Sequence, residues 1–272
     1  MMKVSYDLII ESGDEELDME YGLETLSGTA EVTCILAEAI LRKRIIRRRS
    51  HVNPARAVLK KNFTGSYGQN FDIIINEQEL ISELRRMTRS VFSEVMGYFM
   101  LEAMYINNRQ VSPEAMLIIE ELSDIADELI DRIRTPLIRM HKVNIQKDYD
   151  IELNYKRPIE KENVIRLNQV TASNLTDSRV SGERFTIRAL ITRFNARTGT
   201  GRLVLEGEDD TIAFGFSAPL RSVPPAQKSQ VSLNLHTNND GRNDNYIYLE
   251  LTVSPVVGFG GEIVKYVIHM VN

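Results

Sequence analysis

The sequence predicts an α+β protein in two parts. Residues 1–160 form an antiparallel sheet with a covering helix and a long αα-hairpin, and residues 161–272 form a small all-β barrel. Three observations carry this. Short runs of alternating apolar residues open the chain. A helical period then dominates to about His141, and from Val164 short alternating runs return, separated by turn residues.

The first strand is Val4 to Glu11, with Val4, Tyr6, Leu8 and Ile10 on one face, and Ser12-Gly13-Asp14 is turn chemistry. A second short strand is expected near Leu17 to Tyr21. From Leu23 the period becomes helical through Leu26, Ala30, Thr33, Ala37 and Ile40, ending near Arg47 in a cluster of positive charge that suits a helix C-terminus. Ala55–Phe63 and Gln69–Ile75 read as a hairpin closed by Thr64-Gly65-Ser66-Tyr67-Gly68. A four-stranded sheet under one helix follows from this order.

One long helix is predicted next, capped by Asn76 with Glu79. Its later half carries two apolar stripes, including Phe92, Val95, Met96 and Phe99, and a helix apolar over so much of its circumference is deeply buried or lies at a subunit interface. Ser112-Pro113 starts the partner helix as cap and first residue, and Thr135-Pro136 predicts a kink or a fresh short helix. Lys142 to Asn163 reads as a polar connection, with the boundary near Glu160. Seven barrel strands follow, at Val164–Val170, Arg184–Phe194, Arg202–Glu206, Thr211–Ser217, Gln230–Thr237, Tyr246–Val253 and Glu262–Val271. Their spacing suits a barrel of the oligonucleotide/oligosaccharide-binding type or a similar one.

At 272 residues, 43% apolar and 26% charged, the chain is a globular protein with room for two cores. A net charge of −5 argues against a general nucleic-acid coat but permits a local basic site. The single cysteine, Cys34, excludes an internal disulfide and reads as a buried helix thiol in a reducing, cytoplasmic setting. No signal peptide or membrane span is expected.

Catalytic signatures are missing. There is no phosphate loop, dinucleotide glycine fingerprint, His-Glu-x-x-His pair or Gly-x-Ser-x-Gly elbow, and the four histidines lack ligand spacing. Gly258-Phe259-Gly260-Gly261 precedes a strand and reads as a turn; Glu208-Asp209-Asp210 reads as a solvated loop. No cofactor or metal is expected, and the chain reads as non-catalytic.

Three features favour binding, one of them the apolar helix pair with Met87, Met96, Met100, Met104 and Met116, whose methionines adapt to partners or serve equally as core. Nothing acidic lies between Glu38 and Asp72, an interval holding Arg44, Arg47, Arg48, Arg49, Arg56 and Lys60, whereas the first 38 residues hold ten acids and one lysine. The basic run suits phosphates or an acidic partner; alternatively it pairs with the acidic segment Asp14–Glu24 within the chain or across a dimer. In the barrel Arg188, Arg193 and Arg197 are interleaved with Phe194, the pairing of cations and stacking rings that holds single strands. Phe214 and Phe216 share a face that serves equally as barrel core.

The strand ending Glu11-Ser12-Gly13-Asp14, the helix opening Leu23-x-x-Leu26-x-Gly28 and the hairpin Gly65-Ser66-Tyr67-Gly68-Gln69 running into Phe71-Asp72-Ile73 also carry a resemblance. In this order they resemble uncharacterised bacterial two-domain proteins of mobile-element and phage-defence loci, with an N-terminal α+β unit and a C-terminal small barrel. The resemblance implies a regulatory or sensor protein of an anti-phage system and supplies no catalytic residue. The expected partners are further copies of the chain and a nucleic acid, nucleotide or phage protein, without a membrane. The alternative is a structural subunit of a homo-oligomeric assembly.

Overall fold

Strand β1 (Met2–Ile10) turns Val4, Tyr6, Leu8 and Ile10 into the core of the first of two units, Met1–Thr176 and Asp177–Asn272, in the computed structural model. The structure describes residues 1–46, 54–63, 67–106, 111–157, 160–176, 178–196, 198–239, 246–258 and 261–272. Where a strand was expected at Leu17–Tyr21, helix α1 (Met19–Arg42) begins instead. The Asp18 carboxylate accepts from the backbone N–H groups of Glu20 and Tyr21, which fixes the start. The helix ends at Lys43, in left-handed conformation (φ 55°), so Arg44 lies beyond it and the helix does not run to Arg47.

β2 (Ala55–Phe63) and β3 (Tyr67–Ile75) form the expected hairpin. The single long helix expected next is two, α2 (Gln78–Met87) and α3 (Arg89–Ala103), separated by Thr88 at φ 69°. The cap position of α2 is Glu77 rather than Asn76, without a side-chain cap, because the Glu77 carboxylate pairs with Arg42. The apolar circumference of α3 is covered inside the unit, where Phe92, Val95, Met96 and Phe99 are fully buried.

α4 (Pro113–Glu121) starts as predicted, Ser112 Oγ accepting from the Ala115 N–H. Ser112 also donates twice to Glu94, from N and Oγ at 2.6 Å each, tying α4 to α3. A 3-10 turn (Ser123–Ile125) leads into α5 (Ala126–Met140), which runs through Pro136 without a new start; the fresh short helix, α6 (Lys142–Lys147), begins after His141. α1 crosses α5 at Gly28. A Cβ built on Gly28 would lie 2.3 Å from the Met140 backbone nitrogen and 2.7 Å from the Pro136 carbonyl oxygen.

The stretch read as a connection holds β4 (Ile151–Lys156) and β5 (Lys161–Leu167), followed by α7 (Gln169–Thr176). The sheet is therefore five-stranded and antiparallel, in the order β2-β3-β1-β4-β5, with the first strand at its centre. The division between units falls after Thr176 rather than near Glu160, because β5, expected in the barrel, pairs with β4.

The second unit holds a short β6 (Arg179–Val180), then β7 (Phe185–Phe194), β8 (Gly201–Leu205), β9 (Thr211–Phe216), helix α8 (Pro225–Asn238), β10 (Leu249–Val257) and β11 (Ile263–Val271). β7 pairs with β8 and β10, β8 with β9, β9 with β11 in parallel, and β11 with β10, which closes a five-stranded barrel. Numbered along the chain, the barrel order is first, second, third, fifth, fourth, the Greek-key arrangement of the oligonucleotide/oligosaccharide-binding type. The barrel is not all-β. Gln230–Thr237, expected as a strand, lies in α8, whose Val231 is fully buried in the barrel core.

Asn234 of α8 holds the barrel together at one point. Its Oδ1 accepts from the buried Ile191 N–H (2.9 Å) and its Nδ2 donates to the Ile247 carbonyl (2.7 Å). In Asn234→Leu the Ile191 N–H loses its acceptor, while Asn238 still donates to Ile247. The expected cost is about 2 kcal/mol, or roughly 10 °C in the transition that unfolds the barrel by calorimetry. An unchanged transition would remove Asn234 from this role.

Candidate nucleic-acid interface

A single bulge turns Arg193 outward on the barrel. Along β7 the residues Ile187, Ala189 and Ile191 face the core, and simple alternation would send Arg193 inward after them. Instead the register slips between Ile191, opposite Leu203, and Arg193, opposite Arg202, leaving Thr192 as the extra residue. Beyond the bulge Arg193 faces out and Phe194 faces in, its ring stacked 6.2 Å from that of Phe214.

The next strands continue the pattern. Leu203 is fully buried, so Arg202 beside it is outward; Phe214 is in, so Ala213 and Gly215 are out; Tyr266 is in, so Lys265 is out. Register places Arg193 opposite Arg202, Arg202 opposite Ala213 and Ala213 opposite Lys265. Three cations thus stand in one transverse row over four adjacent strands, a width of roughly 14 Å at ordinary strand spacing.

Small residues make room for the row. A Cβ on Gly201 would sit 2.6 Å from the Phe214 ring, so only glycine lets that strand close on the ring. Gly215 leaves its place to the Lys265 side chain, whose Cε and Nζ would lie 3.3 and 3.4 Å from an added Cβ. Arg202 is only 4% exposed despite its outward position. The β7–β8 loop borders the row. Asn195 Oδ1 accepts from the Thr198 N–H (3.3 Å), and the Thr198 and Thr200 hydroxyls are 2.7 Å apart. Gly199 takes φ 76° there, a value open to glycine.

The other expected binding residues fare differently. Arg188 faces out but is held by both carboxylate oxygens of Glu206, at 2.6 and 2.8 Å, and lies over the Tyr248 ring. Phe194, expected as a stacking ring, belongs to the barrel interior, as do Phe214 and Phe216. Arg44 and Arg56 are exposed, and Lys60 pairs with Asp72 at 2.9 Å. Arg47, Arg48, Arg49 and Arg197 lie outside the described residues. Among the described residues, the ion pairs of the basic run within the chain do not go to the acidic segment. Arg42 pairs with Glu77 and Lys43 with Glu121, whereas Glu15 accepts from Tyr149, Asp18 caps α1 and Glu24 pairs with Lys142.

Lys265 was not among the expected residues. It is 63 residues from Arg202 in sequence (265 − 202), and only the parallel pairing of β11 with β9 brings it into the row. Among the described residues no three His, Cys, Asp or Glu side chains gather as a metal site, and no helix is long and apolar enough to cross a membrane. Comparison with protein-family models, curated proteins and solved structures gave no match to this chain.

Proposed function

We propose that the chain is a binding protein that captures a single-stranded nucleic acid on the outer face of its barrel, serving as the recognition component of a regulatory or sensor system. The observation that supports this most directly is the row Arg193–Arg202–Ala213–Lys265 on the second, third and fifth barrel strands and their neighbour. Such barrels bind strands beside the loop that joins their first two strands. The rings are inside, so the reading is of phosphates rather than bases, and little sequence preference is expected. The place in anti-phage defence rests on the resemblance described above.

A twelve-nucleotide single strand tests this by fluorescence anisotropy. Phosphate contacts from the two half-buried cations of the row, Arg193 and Lys265, predict a slope of about −1.4 for log affinity against log salt. The double variant Arg193→Gln/Lys265→Gln should bring the slope close to zero and show similar affinity losses for oligo-dT and oligo-dA. Both substitutions are preferred to Arg202→Gln, since Arg202 is buried. No binding at low salt, or a slope unaltered by the double variant, would remove the barrel face from consideration.

A further inference from the structure

The five-stranded sheet of the first unit turns one face to its helices and carries charge on the other. On that second face two carboxylates lie buried beneath lysines. The Asp7 side chain is fully buried and receives Lys161 Nζ at 2.6 Å; the Asp72 side chain, 6% exposed, receives Lys60 Nζ at 2.9 Å, Ser5 Oγ at 2.8 Å and, further off, Lys3 Nζ at 3.9 Å. Lys156 Nζ donates to Asn70 Oδ1 at 2.6 Å. Register sets Asp7 opposite Asn70 and Ser5 opposite Asp72, so these contacts fall on neighbouring positions of two paired strands. The lysines themselves reach solvent, Lys3, Lys60 and Lys161 being 42–49% exposed.

We propose that this face seats a phosphate-bearing ligand, whose oxygens are received by the ammonium groups of Lys3, Lys60, Lys156 and Lys161. Four ammonium groups against two carboxylates leave two positive charges in a patch a few strands wide. The carboxylates lie below and cannot meet a ligand; they hold the lysines in place and offset half of their mutual repulsion. The surplus faces outward. Lysine is a point-charge donor suited to phosphate oxygens, and consecutive phosphates concentrate charge as this patch does, whereas an acidic peptide spreads one charge per side chain. The phosphates belong either to a nucleoside triphosphate or to a nucleic-acid backbone.

The face belongs to the first unit and the barrel row to the second, and the test reads each by its own variant. Inorganic tripolyphosphate, a nucleoside triphosphate and a twelve-nucleotide single strand are titrated by calorimetry into the full chain, Lys3→Gln/Lys156→Gln and Arg193→Gln/Lys265→Gln. Lys3 and Lys156 are chosen because Asp72 keeps Lys60 and Ser5, and Asn70 is neutral. Tripolyphosphate affinity should fall by roughly tenfold or more in the lysine variant and stay unchanged in the barrel variant. Absence of tripolyphosphate binding at low salt, or equal affinity in the lysine variant, overturns the proposal. A nucleoside triphosphate that binds like tripolyphosphate, with the single strand indifferent to the lysine variant, assigns the face to nucleotides; the reverse assigns it to nucleic acid. Strand binding lost in the lysine variant alone would sustain this face and defeat the barrel reading. Should the variant unfold, acetylation of the unsubstituted protein decides the matter. Lys156 and Lys161 should be protected by tripolyphosphate, and equal labelling with and without it counts against the site.

Discussion

Gly28→Ala is expected to destabilise the first unit by about 3 kcal/mol, at the upper end of what overpacking costs. The atoms an added Cβ would meet are all backbone: Met140 N at 2.3 Å, Pro136 O at 2.7 Å and Arg139 C at 2.8 Å. No rotamer change relieves such a contact, so α1 and α5 must separate. Their crossing is pinned on both sides by the Arg139–Glu31 and Lys142–Glu24 ion pairs. A fall of roughly 6–12 °C in melting temperature follows for a unit of this size. Gly22→Ala is the control, since its Cβ would meet only the end of the Leu17 side chain at 3.0 Å. That change should stay within about 1 kcal/mol of the parent, with helix propensity in its favour. Equal melting temperatures for the two variants would show that the crossing is not the constraint.

The second large effect is on pH dependence. His141 is fully buried between α5 and α7, with Nδ1 2.7 Å from the Leu137 carbonyl and Nε2 2.9 Å from Thr171 Oγ1. The carbonyl only accepts, so Nδ1 carries the proton and Nε2 accepts from the Thr171 hydroxyl. Burial pushes the imidazole down to about 4, against a smaller upward pull from the Leu137 carbonyl. The unfolded ring titrates near 6.5, so between these values the unfolded chain binds more protons and stability rises with pH. The contribution is complete above about pH 6.5 and is lost as pH falls to about 4, a total of about 3 kcal/mol. On protonation Nε2 becomes a donor and the Thr171 hydroxyl must turn away, for instance to the Asn168 carbonyl at 2.9 Å. Urea midpoints against pH should therefore slope down from 6.5 to 4 in the parent and flatten in His141→Gln. Asp72 does not confuse the window. Burial raises its carboxyl, but the hydrogen bonds and charges of Lys60, Ser5 and Lys3 outweigh this and hold it below the ordinary carboxylate range, so its contribution is lost only at lower pH. An identical slope in His141→Gln would assign the acid sensitivity elsewhere.

Local signals in the sequence were readable where the local chemistry decides the outcome. Ser112-Pro113 starts a helix because cap and φ are both set by those two residues, and Gly13 makes its turn at φ 60°. Distant partners decided the rest. Val231, Leu233 and Leu235 alternate like a strand, yet they lie on a helix that buries Val231 and Asn234 and leaves Leu233 63% exposed; Pro224-Pro225 was the available signal for its start. Ile151, Leu153 and Tyr155 alternate plainly, but the charges around them gave the segment the look of a connection. At the candidate site the arginines were visible and their direction was not. Unbroken alternation sends Phe194 out and Arg193 in, and one extra residue at Thr192 reverses both. Lys265 needed the closed topology of the barrel before it had neighbours at all.

The central position of β1 has a consequence during synthesis. Its partner β3 ends at Ile75, but its other partner, β4, is complete only at Lys156. At 5–20 residues per second the ribosome needs roughly 7–30 s to travel from the end of β1 to the end of β4. For most of that interval the nascent chain presents an open strand edge with Asp7 and its neighbours unpaired on one side. A charged residue in the middle of a strand discourages pairing with the wrong chain, and Asp7 stands there until Lys161 emerges to meet it.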